Sequence, residues 1–156
     1  CVCANRFLVQ AGVYDAFAKM LAEKAAGLAV GDGLTGVTQQ GPLINDRALG
    51  KVEAHVADAL KSGAKALTGA QRDSQGGTFY QPTVLRDVAP GALLAREETF
   101  GPVAPIFSFK DEQQAIRMAN DTEFGLAAYF YTQNHRRVWR VAWSMSRTVP
   151  AWRARH

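Results

Sequence analysis

The sequence predicts an α/β fold, a largely parallel sheet flanked by helices, and three observations predict it. Short apolar runs of strand type alternate with longer segments whose apolar residues recur at helical spacing. The breaks between these segments carry Gly, Pro, Asn and Asp, the residues that turns require. The chain has 156 residues, 47% hydrophobic and 21% charged, which suits one domain with a buried core. Strand–helix alternation reads as a parallel sheet because two parallel strands need a crossover, and the crossing helix covers the sheet.

The elements follow in order. "RFLVQ" (6–10) is a short strand. Apolar residues at Val13, Phe17, Met20, Leu21 and Leu28 predict a helix, ended by the glycines of "GDGLTG". "GPLIND" is a turn. A second helix places Leu49, Val52, Val56 and Leu60 on one face and stops at Ser62-Gly63. "AKALTG" reads as a buried strand and "QRDSQGG" as a surface loop. "FYQPTVLRDV" is extended, with Pro82 at an edge or a strand start. "PVAPIFSF" is a strand, and "DEQQAIRMAN" is a helix with Asp111 as its N-cap. "LAAYFYT" is an apolar strand, and a short helix passes through Val138 and Val141. Residues 1–142 are read as one domain. Residues 143–156, "WSMSRTVPAWRARH", are an atypical tail without periodicity or acidic residues.

Charge and composition narrow the function class. The net charge of +4 comes from a local excess: five arginines lie between Arg136 and Arg153, with no Asp or Glu among them. A basic patch at one end is not a nucleic-acid footprint, so no nucleic-acid partner is expected. No apolar run approaches ~18 residues, so no membrane span is expected. Two cysteines, Cys1 and Cys3, do not form a secreted disulfide framework, which points to the cytoplasm.

Two stretches carry candidate chemistry. The first is the opening "CVC". A zinc site needs about four ligands, and His55, His135 and His156 have no tight spacing with the pair, so no metal site is expected. His55 reads as an ordinary residue on the polar face of its helix. As a redox pair, Cys1 and Cys3 could form a strained, reducible bridge, because Cα atoms two apart in a strand lie ~6.5–7 Å from each other. As a nucleophile, one cysteine needs a lowered pKa or a base. As packing, they are two small residues before a strand. The second stretch is "REETFGP" (96–102), where two carboxylates precede an aromatic ring and a Gly-Pro turn. It is either a plain loop or a site where one carboxylate accepts hydrogen bonds from a sugar diol beside a flat ring. No GxGxxG or GxxxxGK[ST] motif is present, and "GDGLTG" stops a helix rather than cradling a phosphate.

Taken together, "CVCANRFLVQ", "QQGPLIN", "FYQPTVL", "EETFGPVAPIFSFKDEQQAI" and "ANDTEFGLAAYFYT" resemble, in order and spacing, the aldehyde dehydrogenase superfamily, and within it the succinate-semialdehyde dehydrogenases. The resemblance covers about Cys1 to Ala142 and implies part of a catalytic domain that begins on the nucleophile. It implies that Cys1 is the catalytic thiol and Cys3 its redox partner. Glu98 would bind the nicotinamide-ribose hydroxyls, Phe100 would pack near the nicotinamide, and Lys51 would contact the cofactor. The implied cofactor is NADP or NAD, and the implied substrate is a small aldehyde such as succinate semialdehyde. Thiolate attack gives a thiohemiacetal, hydride loss leaves a thioester, and water activated by a Glu hydrolyses it. That Glu, the oxyanion-hole Asn and the dinucleotide-binding domain lie upstream in the family. A homo-oligomeric parent is implied, with the oligomerisation arm further downstream.

The tail departs from the family pattern at about Trp143. With Ser144 as AGT, "WSM" is TGGAGTATG; read one base earlier, after C, it gives Leu-Glu-Tyr, as a frameshift would produce. The alternative to an enzyme fragment is a non-catalytic remnant or binding protein that retains the fold.

Overall fold

The computed structural model describes residues 3–145, which fall into two compact units. The first, residues 5–108, holds β1 (Phe7–Gln10), α1 (Tyr14–Ala26), α2 (Asp46–Lys61), β2 (Lys65–Thr68), β3 (Thr83–Arg86), α3 (Leu93–Arg96) and most of β4 (Val103–Phe109). The strands form one mixed sheet in the order β1-β4-β3-β2. β3 and β4 are parallel, with Thr83 opposite Val103 and Leu85 opposite Pro105. β2 adds antiparallel to β3, with Lys65 opposite Arg86.

The core of this unit lies between α1 and the sheet. Tyr14, Ala18 and Ala22, spaced i, i+4, i+8, pack with Val9, Val84 and Ile106. The small alanines let the helix approach the strands closely, and Phe17 and Leu21 fill the flanks. The expected helix is present, but its buried stripe is rotated. Met20 is 56% exposed, and Val13 and Leu28 are also open to solvent. The helix ends at its C-cap Gly27, so Leu28 lies beyond it. The Tyr14 hydroxyl donates to the Ile106 carbonyl at 3.2 Å and accepts from the Asp87 N–H at 2.8 Å. Both polar needs of the buried phenol are thereby met.

α2 begins where the Asn45 side chain accepts from the Ala48 N–H at 2.9 Å, an N-cap that satisfies a first-turn donor. Its buried face is Leu49, Val52, His55, Val56 and Ala59, while Leu60 is exposed. The expectation that His55 sits on the polar face is wrong. It lies three residues after Val52 and four before Ala59, on the same helical stripe, and is 2% exposed.

Two strand expectations also fail. "AKALTG" contains β2, but β2 is the sheet edge and its residues Lys65–Leu67 are exposed, because among the described residues only β3 adjoins it. "LAAYFYT" forms no strand, and Tyr131 is 97% exposed. A strand needs a neighbour to take up its N–H and C=O groups, and none of the described strands pairs with it. Between β2 and β3, Gly69 adopts φ +69° with its Cα against the chain at Pro82. An added Cβ would lie 2.4 Å from the Pro82 carbonyl oxygen, so only glycine fits.

The second unit contains α4 (Glu112–Asn120) and α5 (His135–Met145). Asp111 caps α4 as expected, accepting from the Gln114 N–H at 2.8 Å. Glu112 receives hydrogen bonds from Arg137 at 2.9 Å and from Arg140, which clamps α4 to α5. Those guanidinium groups, Arg140 foremost, lower the Glu112 pKa to about 2. Trp143 to Met145 close α5; the remainder of the atypical tail, and the frameshift reading of it, lie outside the described residues.

Candidate functional site

The site is built on the stretch from Glu97 to Pro102, which leaves the one-turn helix α3 and leads into β4. Three residues of α2, spaced i, i+4 and i+7, face α3 and this stretch. Asp58 accepts from the Leu93 N–H at 2.8 Å, at the start of α3. Lys51 donates to the Glu98 backbone carbonyl at 2.7 Å, and its Nζ lies 3.5 Å from the Glu97 carboxylate. His55 reaches residues 97 and 99 together: Nε2 is 3.4 Å from Glu97 Oε2, and Nδ1 is 3.1 Å from Thr99 Oγ1. The Thr99 N–H is directed to the Asn5 side-chain oxygen at 3.4 Å.

Burial decides the charge state of this network. It lowers the His55 pKa, against the opposing pull of the Glu97 carboxylate, so the imidazole is neutral near pH 7. A neutral ring has one donor and one acceptor. The partners assign the tautomer: Nε2–H donates toward Glu97, and Nδ1 accepts from the Thr99 hydroxyl.

The two adjacent carboxylates therefore differ. Glu97 is held by Lys51 and His55. Glu98 is half-buried, and its carboxylate has no hydrogen bond or ion pair among the described residues; only its backbone oxygen is used. A carboxylate with all its lone pairs open can accept from two neighbouring hydroxyls. Next to it, Phe100 has φ +45° and is 64% exposed. A bulky residue in the left-handed region costs on the order of 1–3 kcal/mol, and the surrounding contacts must hold it there. The following Gly101 lies against α2, where an added Cβ would be 2.4 Å from Val52 Cγ2. The loop and helix are that close because residue 101 has no side chain.

Of the residues singled out in the sequence, Lys51, Glu98 and Phe100 belong to this one loop–helix assembly. Lys51 acts on the loop backbone. Cys1 lies outside the described residues, as does a bridge from it to Cys3; Cys3 itself is exposed and carries a free thiol. Sequence reasoning missed His55, Thr99 and Asn5. The signal available for His55 was its position on the Val52–Ala59 stripe. Thr99 and Asn5 are brought together only by folding. Among the described residues, no three His, Cys, Asp or Glu side chains gather as metal ligands. Among the same residues, no helix is long and apolar enough to cross a membrane.

Comparison with known proteins adds a further layer. Residues 1–149 match the family described as the aldehyde dehydrogenase family. The chain is 54% identical over 142 residues to a glutarate-semialdehyde dehydrogenase of Pseudomonas aeruginosa, covering 91% of the chain and 29% of that protein. It is 55% identical over 141 residues to an NADP(+) succinate-semialdehyde dehydrogenase of Escherichia coli, covering 90% of the chain and 29% of that protein. The crystal structure of succinate-semialdehyde dehydrogenase from Burkholderia pseudomallei superposes with a TM-score of 0.91 at 53% identity, over 92% of this chain and 30% of that one. The chain thus spans somewhat under a third of the length of the proteins it matches.

Proposed function

The chain belongs to the aldehyde dehydrogenase family, and on that premise we propose a function for the protein of which it spans a part. That protein oxidises a short aldehyde with a terminal carboxylate, succinate semialdehyde or its glutarate homologue, to the dicarboxylate with NADP or NAD as cofactor. The relatives named for these two substrates support the substrate class. The observation that carries the reading is the contrast between Glu97, tied to α2, and Glu98, whose carboxylate has no hydrogen-bond or ion-pair partner among the described residues.

The residues present fit a dinucleotide. Glu98 would accept hydrogen bonds from the ribose hydroxyls, and the exposed Phe100 ring would pack near the nicotinamide. Lys51 holds the backbone of Glu98 and so fixes the carboxylate's starting point. A bound dinucleotide supplies the two-electron acceptor. Cys1 is the nucleophile: its sulfur adds to the aldehyde carbon, carries it through thiohemiacetal and thioester, and is released as the thiol when water hydrolyses the thioester. Homo-oligomeric assembly and a cytoplasmic location belong to the same proposal.

The test is aldehyde-dependent dinucleotide reduction by the full-length protein with succinate and glutarate semialdehydes. Cys1→Ala should lower kcat by roughly 10⁴-fold or more, because a catalytic nucleophile works as part of a unit. A Cys1→Ala enzyme that turns over at the parent rate removes the assignment. A polypeptide of residues 1–156 alone should show no turnover, since it spans 29% of its relatives' length.

A further inference from the structure

We propose that His55 is the positioning residue for the dinucleotide. By contacting Glu97 and Thr99, the residues on either side of Glu98, it holds Glu98 and Phe100 in the backbone shape that presents them to the cofactor. The proposal rests on the reading of Glu98 and Phe100 as dinucleotide contacts.

Four observations carry it. His55 is buried on a stripe otherwise made of Leu49, Val52, Val56 and Ala59. Packing alone asks for an apolar side chain there, and a buried imidazole is tolerated only if its polar atoms are satisfied. Its two nitrogens meet residues 97 and 99 and leave the Glu98 carboxylate untouched. Lys51, one turn earlier on α2, anchors the Glu98 carbonyl, so three consecutive residues are held from one helix. Finally, Phe100 sits at φ +45°, a conformation that persists only where neighbouring contacts impose it. The charged groups that act on His55 are Glu97 from the loop and Lys51 and Asp58 from α2 itself. Thr99 is in turn 4% exposed, so its hydroxyl has little access to water as a substitute for the ring nitrogen.

The experiment uses the full-length protein and measures kcat and KM for dinucleotide and for aldehyde separately. His55→Ala, His55→Gln, Thr99→Val and Glu98→Gln are compared, with thermal melting of each. We expect His55→Ala and Thr99→Val to raise the dinucleotide KM about tenfold while the aldehyde KM moves less than about twofold, since a displaced binding group loses one to two orders of magnitude. His55→Gln, which can keep an amide donor toward Glu97, should recover most of the loss. If Glu98→Gln raises the dinucleotide KM but Thr99→Val and His55→Ala leave it unchanged, the positioning role is wrong and the Glu98 reading stands. If Glu98→Gln leaves dinucleotide kinetics unchanged, the Glu98 reading fails and the proposal fails with it. A lowered melting temperature with unchanged KM marks His55 as core packing and also overturns the proposal. Should His55→Ala fail to fold, Thr99→Val, which removes a single hydroxyl, decides.

Discussion

The Lys51 ammonium donates a 2.7 Å hydrogen bond to the backbone carbonyl of Glu98 and lies 3.5 Å from the carboxylate of Glu97. One cation thus engages two consecutive glutamates in different ways, taking the side chain of the first and the main chain of the second. The second glutamate's carboxylate is left for another partner.

That asymmetry separates two isosteric substitutions. In the full-length protein, Glu98→Gln should raise the dinucleotide KM or slow turnover, because an amide is a poorer acceptor for a diol. Glu97→Gln keeps a side-chain oxygen that can accept from the His55 Nε2–H and loses only the charge, so it should leave those constants near the parent values and cost stability instead. With Glu97 and Lys51 each about half exposed, solvent screening holds that cost to about 1 kcal/mol or less. Equal kinetic effects from the two substitutions would make the stretch a structural loop.

Gly101→Ala tests the close approach of loop and helix. Its Cβ would fall 2.4 Å from Val52 Cγ2, and Val52 is fully buried. Overpacking of this kind costs typically ~1–3 kcal/mol. In a Val52→Ala background the obstructing methyl is gone, so the same substitution should cost much less. A double-mutant cycle by denaturant unfolding measures the difference; additive costs would show that the contact is not the cause.

The pH dependence follows from two shifted groups. His55 in the unfolded chain titrates near 6.5, and burial lowers that value in the fold. Below pH 6.5 the unfolded state binds more protons, so the stabilising contribution is complete above 6.5 and is lost as the pH falls toward the folded value. Glu112 moves from 4.5 to about 2 through Arg140 and Arg137, so its contribution is present above 4.5 and is lost only in stronger acid. The opening equilibrium of α2 and of residues 97–100, taken from amide exchange corrected for the intrinsic rate at each pH, should therefore rise just below pH 6.5, and that of α4 and α5 only below pH 4.5. His55→Gln should abolish the first step and spare the second. Persistence of the first step in that variant assigns it to another group.

The pairing of Cys1 and Cys3 is open to a chemical test. Mild peroxide takes two electrons from two thiols, giving a disulfide and two waters, and a bridge between residues two apart is strained and easily reduced. The full-length protein should lose activity with peroxide and regain it with a thiol reductant. Cys3 is exposed and free to take part. Cys3→Ala should remain active and lose the reversible phase. Identical inactivation and recovery in parent and variant would make Cys3 a bystander.

The sequence by itself determined the order of β1 to β4 and of α1, α2, α4 and α5, the Asp111 cap and the family, because these rest on local periodicity, capping and ordered motifs. It also singled out Glu98 and Phe100, through the "EETFGP" stretch, as candidates. It misjudged whatever depended on a neighbour. The exposure of β2 and the absence of a strand at 126–132 follow from which strands adjoin them. His55 looked polar-faced because a single histidine among alternating residues does not reveal which turn of α2 is covered. Only the tertiary structure decided that Glu97 is occupied while the Glu98 carboxylate has no protein partner among the described residues, since two adjacent glutamates are chemically identical until α2, far earlier in the chain, brings Lys51 and His55 to one of them. The assignment rests on side chains meeting across long sequence separation, where linear spacing carries no information.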